Sequence, residues 1–264
     1  MQIKDTAICL RAVNYSETSQ VVTLLTRDSG KVGAMAKGSR RAKSSFDGAI
    51  EIFSFGDVIF TIKDSGGQLA MLTEFNQQPR FRMLSQNLNA LNAALFAVEL
   101  TEKFLEDHDP HPPLFDKLTK FLETVQETKE PPQILAWLIL YQIRLLEETG
   151  VAPMLDACVN CGAELKALPL QRGSTAQRGG GYARKQDISK SYFSSRENGL
   201  LCSNCEMAFP EKRAIDSRLI QILNTPAKLP KTDLKQLKQI EQLLIYHFTE
   251  LLHKPPKMAK YFIR

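Results

Sequence analysis

Two hydrophobic rhythms divide the chain near residue 80. Before that point apolar positions come in short blocks bounded by turn residues. Residues 3–13 form one block, with Ile8, Cys9 and Leu10 at its centre, and residues 19–26 carry Val21-Val22-Thr23-Leu24-Leu25. Asp28-Ser29-Gly30 is turn chemistry, and residues 31–36 continue as a strand of small residues, which predicts a hairpin. Residues 51–62 alternate and are rich in Ile, Phe and Val, with Gly56-Asp57 marking a bulge or turn. Asp64-Ser65-Gly66-Gly67 predicts a further turn before a strand over 68–75. Five strands in this span predict a small closed barrel. The five-stranded OB-fold leads, and an SH3-like barrel would read much the same.

After Pro79 the period becomes helical. Ser85 can cap a helix with Leu88, Leu91, Leu95 and Val98 at helical spacing, ending before Asp109-Pro110. A second helix follows Pro112-Pro113, with Leu114, Leu118, Phe121, Leu122 and Val125 on one face. A third opens after Pro131-Pro132 and ends at Gly150; its stretch 134–140, including Trp137, is apolar all round and predicts the most buried helix. Residues 151–210 are irregular, and two helices close the chain, over about 215–223 and 233–253. The class is α+β: a barrel domain over 1–80 and a helical domain over 81–264, with an insertion at about 156–208.

Charge changes this picture. The net charge of the 264 residues is +5, but residues 29–46 carry +5, residues 166–196 carry +6 and residues 254–264 carry +4, so the remainder carries −10. An acidic body with basic segments points to a polyanionic partner. No apolar run approaches the ~20 residues that span a bilayer, and no secretory signal opens the chain. A cytoplasmic protein with reduced cysteines is expected.

Chemistry concentrates in two places. Cys158-Val159-Asn160-Cys161-Gly162 and Cys202-Ser203-Asn204-Cys205 are paired CxxC turns. Four thiolates suit one tetrahedral Zn²⁺ with no open position, hence a structural ion. The 40 residues between the pairs exceed the usual ~15–20, and a Gly-, Ser- and Arg-rich loop over 171–185 accounts for much of the excess. Two local disulfides, a redox pair and an iron–sulfur centre are the alternatives. Cys9 is read as a small buried hydrophobe.

The second place is the basic stretch: Lys31, Lys37, Arg40, Arg41 and Lys43 can line a barrel groove that tracks phosphates, with Phe46, Phe53, Phe55 and Phe60 as core residues or stacking candidates. His108 and His111, beside Asp107 and Asp109, read as solvated loop polarity. Walker A, GxSxG, HExxH and dinucleotide GxGxxG motifs are absent from the sequence, and no catalytic set is expected.

The residues resemble the RecO family of bacterial recombination mediators. The opening strand, Tyr15-Ser16-Glu17-Thr18-Ser19, Gly30-Lys31-Val32 through Ala36-Lys37-Gly38-Ser39-Arg40-Arg41, Ser44-Ser45-Phe46, and the cysteine region with Tyr192-Phe193-Ser194 and Gly199-Leu200-Leu201-Cys202 carry the resemblance over nearly the whole length. It implies an N-terminal OB-fold, a helical domain bearing a zinc finger, and binding and annealing of DNA strands. It also implies work with RecR and single-strand-binding protein to load RecA on DNA in the nucleoid. Lys37, Arg40 and Arg41 match the family's DNA-contacting loop, while residues 166–190 look longer than is usual. A zinc-ribbon RNA-binding accessory factor of transcription or translation is the first alternative. A hydrolase with a metal at His108 and His111 is the second.

Overall fold

The computed structural model describes residues 2–62, 69–165 and 191–263. The predicted turn at Asp64–Gly67 and the long loop within 166–190 lie outside the described residues. The chain divides into two compact units, residues 1–149 with 256–264, and residues 150–255. The change of rhythm near residue 80 therefore lies inside the first unit. There Arg80 joins strand to helix: its guanidinium stands 4.4 Å from the Phe55 ring centroid and donates to Glu123 at 2.6 and 2.9 Å.

The first unit opens with β1 (Gln2–Asn14), β2 (Gln20–Thr26), β3 (Gly30–Ala36), β4 (Phe55–Thr61) and β5 (Ala70–Gln78). They close as β1-β2-β3-β5-β4, with β4 back on β1. The out-of-sequence step from β3 to β5 is parallel, as a Greek-key barrel of the OB type requires. Alternation places Val22, Leu24, Val32, Ala34, Val58, Phe60 and Leu72 inside, and a register shift at Thr73 brings Phe75 to the same face. β1 buries Ala7, Ile8, Cys9 and Leu10 in succession. A bulge between Cys9 and Arg11 breaks its alternation there. The fourth strand begins at Phe55, later than the alternation suggests. Residues 51–54 form a turn instead: Cys9 exchanges backbone bonds with Phe53 and Ser54 at 2.9 and 2.8 Å, and Phe53 takes φ 72°. Burial pushes the Cys9 thiol up to about 12, in keeping with an inert core position.

Three helices follow: α1 (Leu88–Phe104), α2 (Pro112–Glu127) and α3 (Pro131–Glu148). The cap of α1 is Asn87, whose side chain accepts from Asn89 and Ala90 N–H, because residues 82–86 form a separate 3₁₀ turn. The buried face of α1 is Ala90, Ala93, Ala94, Phe96, Ala97, Val98, Leu100 and Thr101; of the expected stripe Val98 is buried, Leu91 and Leu95 are half-buried and Leu88 is 70% exposed. The leucine stripe misled because alanines, which permit close helix approach, form a second apolar stripe. The tail does not stand free in solvent. Glu99 accepts from Lys257 and Met258 N–H at 2.7 and 2.8 Å, and Phe262 packs on Phe96 at 5.4 Å.

The second unit holds β6 (Met154–Cys158), β7 (Ser191–Ser194), β8 (Gly199–Cys202), β9 (Arg213–Ile215), α4 (Ser217–Leu223) and α5 (Leu234–Leu252). Its sheet order is β6-β8-β7-β9. Asp216 and Asp233 cap the two helices. Helical spacing on α5 buries Leu237, Ile240, Leu244 and Phe248, while Leu251 is half-buried and Leu234 exposed. His247 is fully buried, edge-on to Phe193, with Nδ1 2.8 Å from Ser195 Oγ.

Two predictions follow from this packing. Gly30 takes φ 75°, and a Cβ there would stand 2.4 Å from Asp109 O. Gly30→Ala should lower unfolding free energy by at least ~2 kcal/mol, read by urea denaturation; an unchanged midpoint would refute the close approach. Burial holds the His247 pKa below its ordinary 6.5, so below that pH the unfolded chain binds more protons than the folded one. Stability should be complete above ~6.5 and fall as pH drops toward the lowered folded value. His247→Asn should flatten this part of the stability curve, and identical slopes for the two proteins would contradict it.

Candidate nucleic-acid interface and metal centre

The basic loop begins where β3 ends. Lys37, Arg40, Arg41 and Lys43 are exposed, and none has an ion pair among the described residues. Their backbone is nonetheless tightly held. Gln20, 4% exposed, accepts at Oε1 from Ser39 Oγ and from Ile50 N–H, both at 2.9 Å, and donates from Nε2 to Ile50 O at 3.0 Å. One buried amide thus ties both ends of residues 39–50 to β2. Phe46 and Ile50 insert into the barrel core. Gln77 Nε2 donates to Phe46 O at 2.6 Å, and Ser45 Oγ to Thr73 O at 2.8 Å. The cations are therefore presented on a scaffold whose anchors, Ser39, Phe46 and Ile50, are buried while Lys37, Arg40, Arg41 and Lys43 stay exposed.

Lys31 leaves this set. Its Nζ donates to Leu105 O at 2.6 Å and Glu102 O at 3.0 Å, with Asp107 at 3.3 Å, and its side chain is 15% exposed. A cation at the carbonyl end of α1 complements the helix dipole, so this ammonium is already engaged. Of the four phenylalanines, Phe46, Phe55 and Phe60 are core and Phe53 is half-buried. The aromatic side chain beside the loop is Tyr15, 71% exposed, which the sequence reading did not single out for contact. Its signal was a lone aromatic in an otherwise polar turn.

In the second unit β6 delivers Cys158, β8 delivers Cys202, and the turns after them deliver Cys161 and Cys205. Gly162, at φ 69°, allows the first knuckle to close, with its N–H on Cys158 O at 2.9 Å. The four Sγ atoms all lie within 4.8 Å of one another, and the Cys161–Cys202 pair is at 3.8 Å. Sulfurs at about 2.3 Å from a tetrahedral ion stand about 3.8 Å apart, whereas a disulfide needs about 2.05 Å. All four are free thiols, which removes the disulfide alternative. Outer donors support thiolate character: Asn160 Nδ2 reaches Cys205 Sγ at 3.2 Å, and Cys202 N–H reaches Cys158 Sγ at 3.4 Å. Burial raises the Cys158 thiol, but the N–H groups of Cys202, Cys161 and Asn160 outweigh it and bring it to about 7. Burial pushes Cys202 up to about 12. Four sulfurs at this spacing could share one metal ion, and the donor set fits it.

The histidine pair is not drawn into such a group. His111 Nε2 lies 3.0 Å from Asp109 Oδ2, and His108 uses its N–H on Lys31 O at 2.9 Å. Among the described residues the four cysteines form the cluster able to share an ion. No helix among them is long and apolar enough to cross a membrane.

Comparison with known proteins agrees with this geometry. Residues 1–94 match the family model "Recombination protein O N terminal", and residues 85–182 match "Recombination protein O C terminal". The chain is similar to the DNA repair protein RecO of Bacillus pumilus, at 31% identity over 95% of this chain and 89% of that protein. It is 32% identical to RecO of Anaeromyxobacter dehalogenans over 79% and 72% of the two chains, and 28% identical to that of Alkaliphilus metalliredigens over 93% and 86%. An OB-like barrel, a helical body, a four-cysteine cluster and matches over most of the chain lead to one assignment: the chain belongs to the RecO family of DNA repair proteins.

Proposed function

We propose that the chain is a recombination mediator that binds single- and double-stranded DNA, anneals complementary strands, and acts with RecR to replace single-strand-binding protein by RecA. The observation that carries this reading is the loop bearing Lys37, Arg40, Arg41 and Lys43, exposed, without ion pairs among the described residues, and clamped to the barrel through Gln20. Arg can bridge two phosphate oxygens with parallel bonds, and Lys acts as a point charge. Annealing requires no covalent step, and the reading assigns none. Cations screen the repulsion between two strands, and base pairing supplies the free energy. Counterions released from the phosphates favour binding and make it salt-dependent.

Zn²⁺ is the ion proposed for the cysteine cluster. Four sulfur ligands leave no open position, so the ion acts by joining β6 and β8 through their knuckles and not by activating water. A nucleoid-associated location and contact with the acidic tail of single-strand-binding protein belong to the same reading. So does a domain organisation in which the barrel carries DNA and the remainder carries partners.

Replacing Lys37, Arg40, Arg41 and Lys43 by Ala should weaken single-strand binding at low salt. Each phosphate contact adds about 0.7 to the log–log salt slope, so the slope should flatten by up to roughly 2.8. The loss should be similar for strands of different sequence, because phosphates carry no sequence information. Titrations at several salt concentrations read both quantities, and parallel slopes with equal affinities would place DNA elsewhere. Annealing of oligonucleotides coated with single-strand-binding protein should fall in the same variant; matched RNA strands annealed and bound more tightly than DNA would favour an RNA-binding accessory factor.

Elemental analysis of reduced protein should find about one equivalent of zinc. Cys158→Ser or Cys202→Ser should lose it, with several kcal/mol of stability, since metal binding is coupled to local folding. Metal-free wild-type protein of full stability would overturn the assignment.

A further inference from the structure

The turn between β1 and β2 places Tyr15 in water while fixing its backbone. Tyr15 N–H donates to Ser19 O at 2.9 Å, and Ser19 N–H donates to Ser16 Oγ at 3.2 Å. The same turn grips the basic loop. Gly38 N–H donates to Ser19 Oγ at 3.3 Å and Arg40 N–H to Thr18 O at 3.1 Å. Aromatic ring and cations therefore belong to one hydrogen-bonded piece.

Between them lies an open concavity of about 610 Å³, lined by Tyr15, Ser16 and Ser19 of the turn and by Met35, Lys37, Gly38 and Arg41 of β3 and the loop after it. That volume falls within the range of small-ligand sites, about 300–1,000 Å³. Arg41 folds over Gly38: its Cδ, Nε and Cζ lie 3.4, 3.5 and 3.7 Å from where a Cβ on Gly38 would stand, and Gly38 takes φ 73°. The guanidinium is thus led along the rim. Glu17, the acid of the turn, is not among the lining residues. Among the described residues no ring or cation stacks on Tyr15.

We propose that Tyr15 is a stacking platform for one unpaired nucleobase, with Lys37 and Arg41 holding the adjoining phosphates. The step rests on the reading that the basic loop holds DNA, and it deepens that reading by naming a contact that only an unpaired base can make. In a duplex both faces of a base are covered by its neighbours, so a ring in this position can be used only by a base outside the helix. Stacking is tolerant of base identity because every base has a π-face, and a neutral phenol adds no charge that would repel phosphate.

The test compares a thymidine oligonucleotide with an abasic strand of the same length, which keeps the phosphates and lacks the bases. Fluorescence anisotropy at low salt reads the affinity of the full chain for each. Tyr15→Ala should weaken binding to the thymidine strand about five- to a hundredfold and leave binding to the abasic strand unchanged. Tyr15→Phe should retain wild-type affinity for both, since the ring and not the hydroxyl does the stacking. Lys37→Ala/Arg41→Ala should weaken both strands alike. Equal binding of wild type and Tyr15→Ala to the thymidine strand, with the charge variant still impaired, would overturn the platform and leave the basic loop as the DNA site. Equal losses on both strands for Tyr15→Ala would also overturn it, by making the residue a support for the loop. Wild-type affinity in the charge variant would remove the underlying reading itself.

Discussion

A single buried amide organises the barrel face that carries the basic loop. Gln20 sits at the start of β2, where alternation turns it inward, and a polar side chain there must find partners or cost about 1–3 kcal/mol for each group left unpaired. It finds them at both ends of the following loop, on the Ser39 hydroxyl and the Ile50 backbone. The consequence is geometric. Residues 40–43, between these anchors, cannot fold back onto the barrel, so their cations remain in water. A flexible basic loop would lose ordering entropy on meeting a strand; a loop already clamped by Gln20, Gln77, Phe46 and Ile50 has lost much of it on folding.

The cysteine cluster solves a similar problem by other means. The second unit has short strands, β7 and β8 of four residues and β9 of three, too little sheet to fix two knuckles by backbone pairing alone. Four sulfurs within 4.8 Å of one another put a site able to share one ion between β6 and β8, a link that hydrophobic burial does not supply. The unit's own core, around Phe193, His247 and Phe248, is separate from it and depends on a neutral imidazole. A cysteine cluster able to share an ion and a core built on a buried imidazole thus give one unit two distinct points of dependence.

Much of this was legible in the sequence. Paired CxxC turns named the four cysteines that the fold gathers, because their spacing is local and the knuckle needs little beyond Gly162. The barrel was legible from its alternation and turn residues, and the basic loop from charge density. What was not legible depended on long-range geometry. Lys31 reads as one cation among five until α1 ends beside it and offers carbonyls at 2.6 and 3.0 Å. The start of β4 moved because the bulge in β1 needs Phe53 and Ser54 as partners. The face of α1 turned on alanines, whose burial expresses close packing and not hydrophobicity. Tyr15 gained meaning from the loop opposite it, some twenty residues along the chain.

The proposed DNA site is the barrel face formed by the β1–β2 turn and the clamped basic loop. Photo-crosslinking tests it most directly: strands carrying 4-thiothymidine are irradiated on the full chain, and the modified peptides are mapped by mass spectrometry. Crosslinks should fall within residues 14–20 and 35–50. Crosslinks confined to residues 150–255, with none on the barrel, would contradict the account.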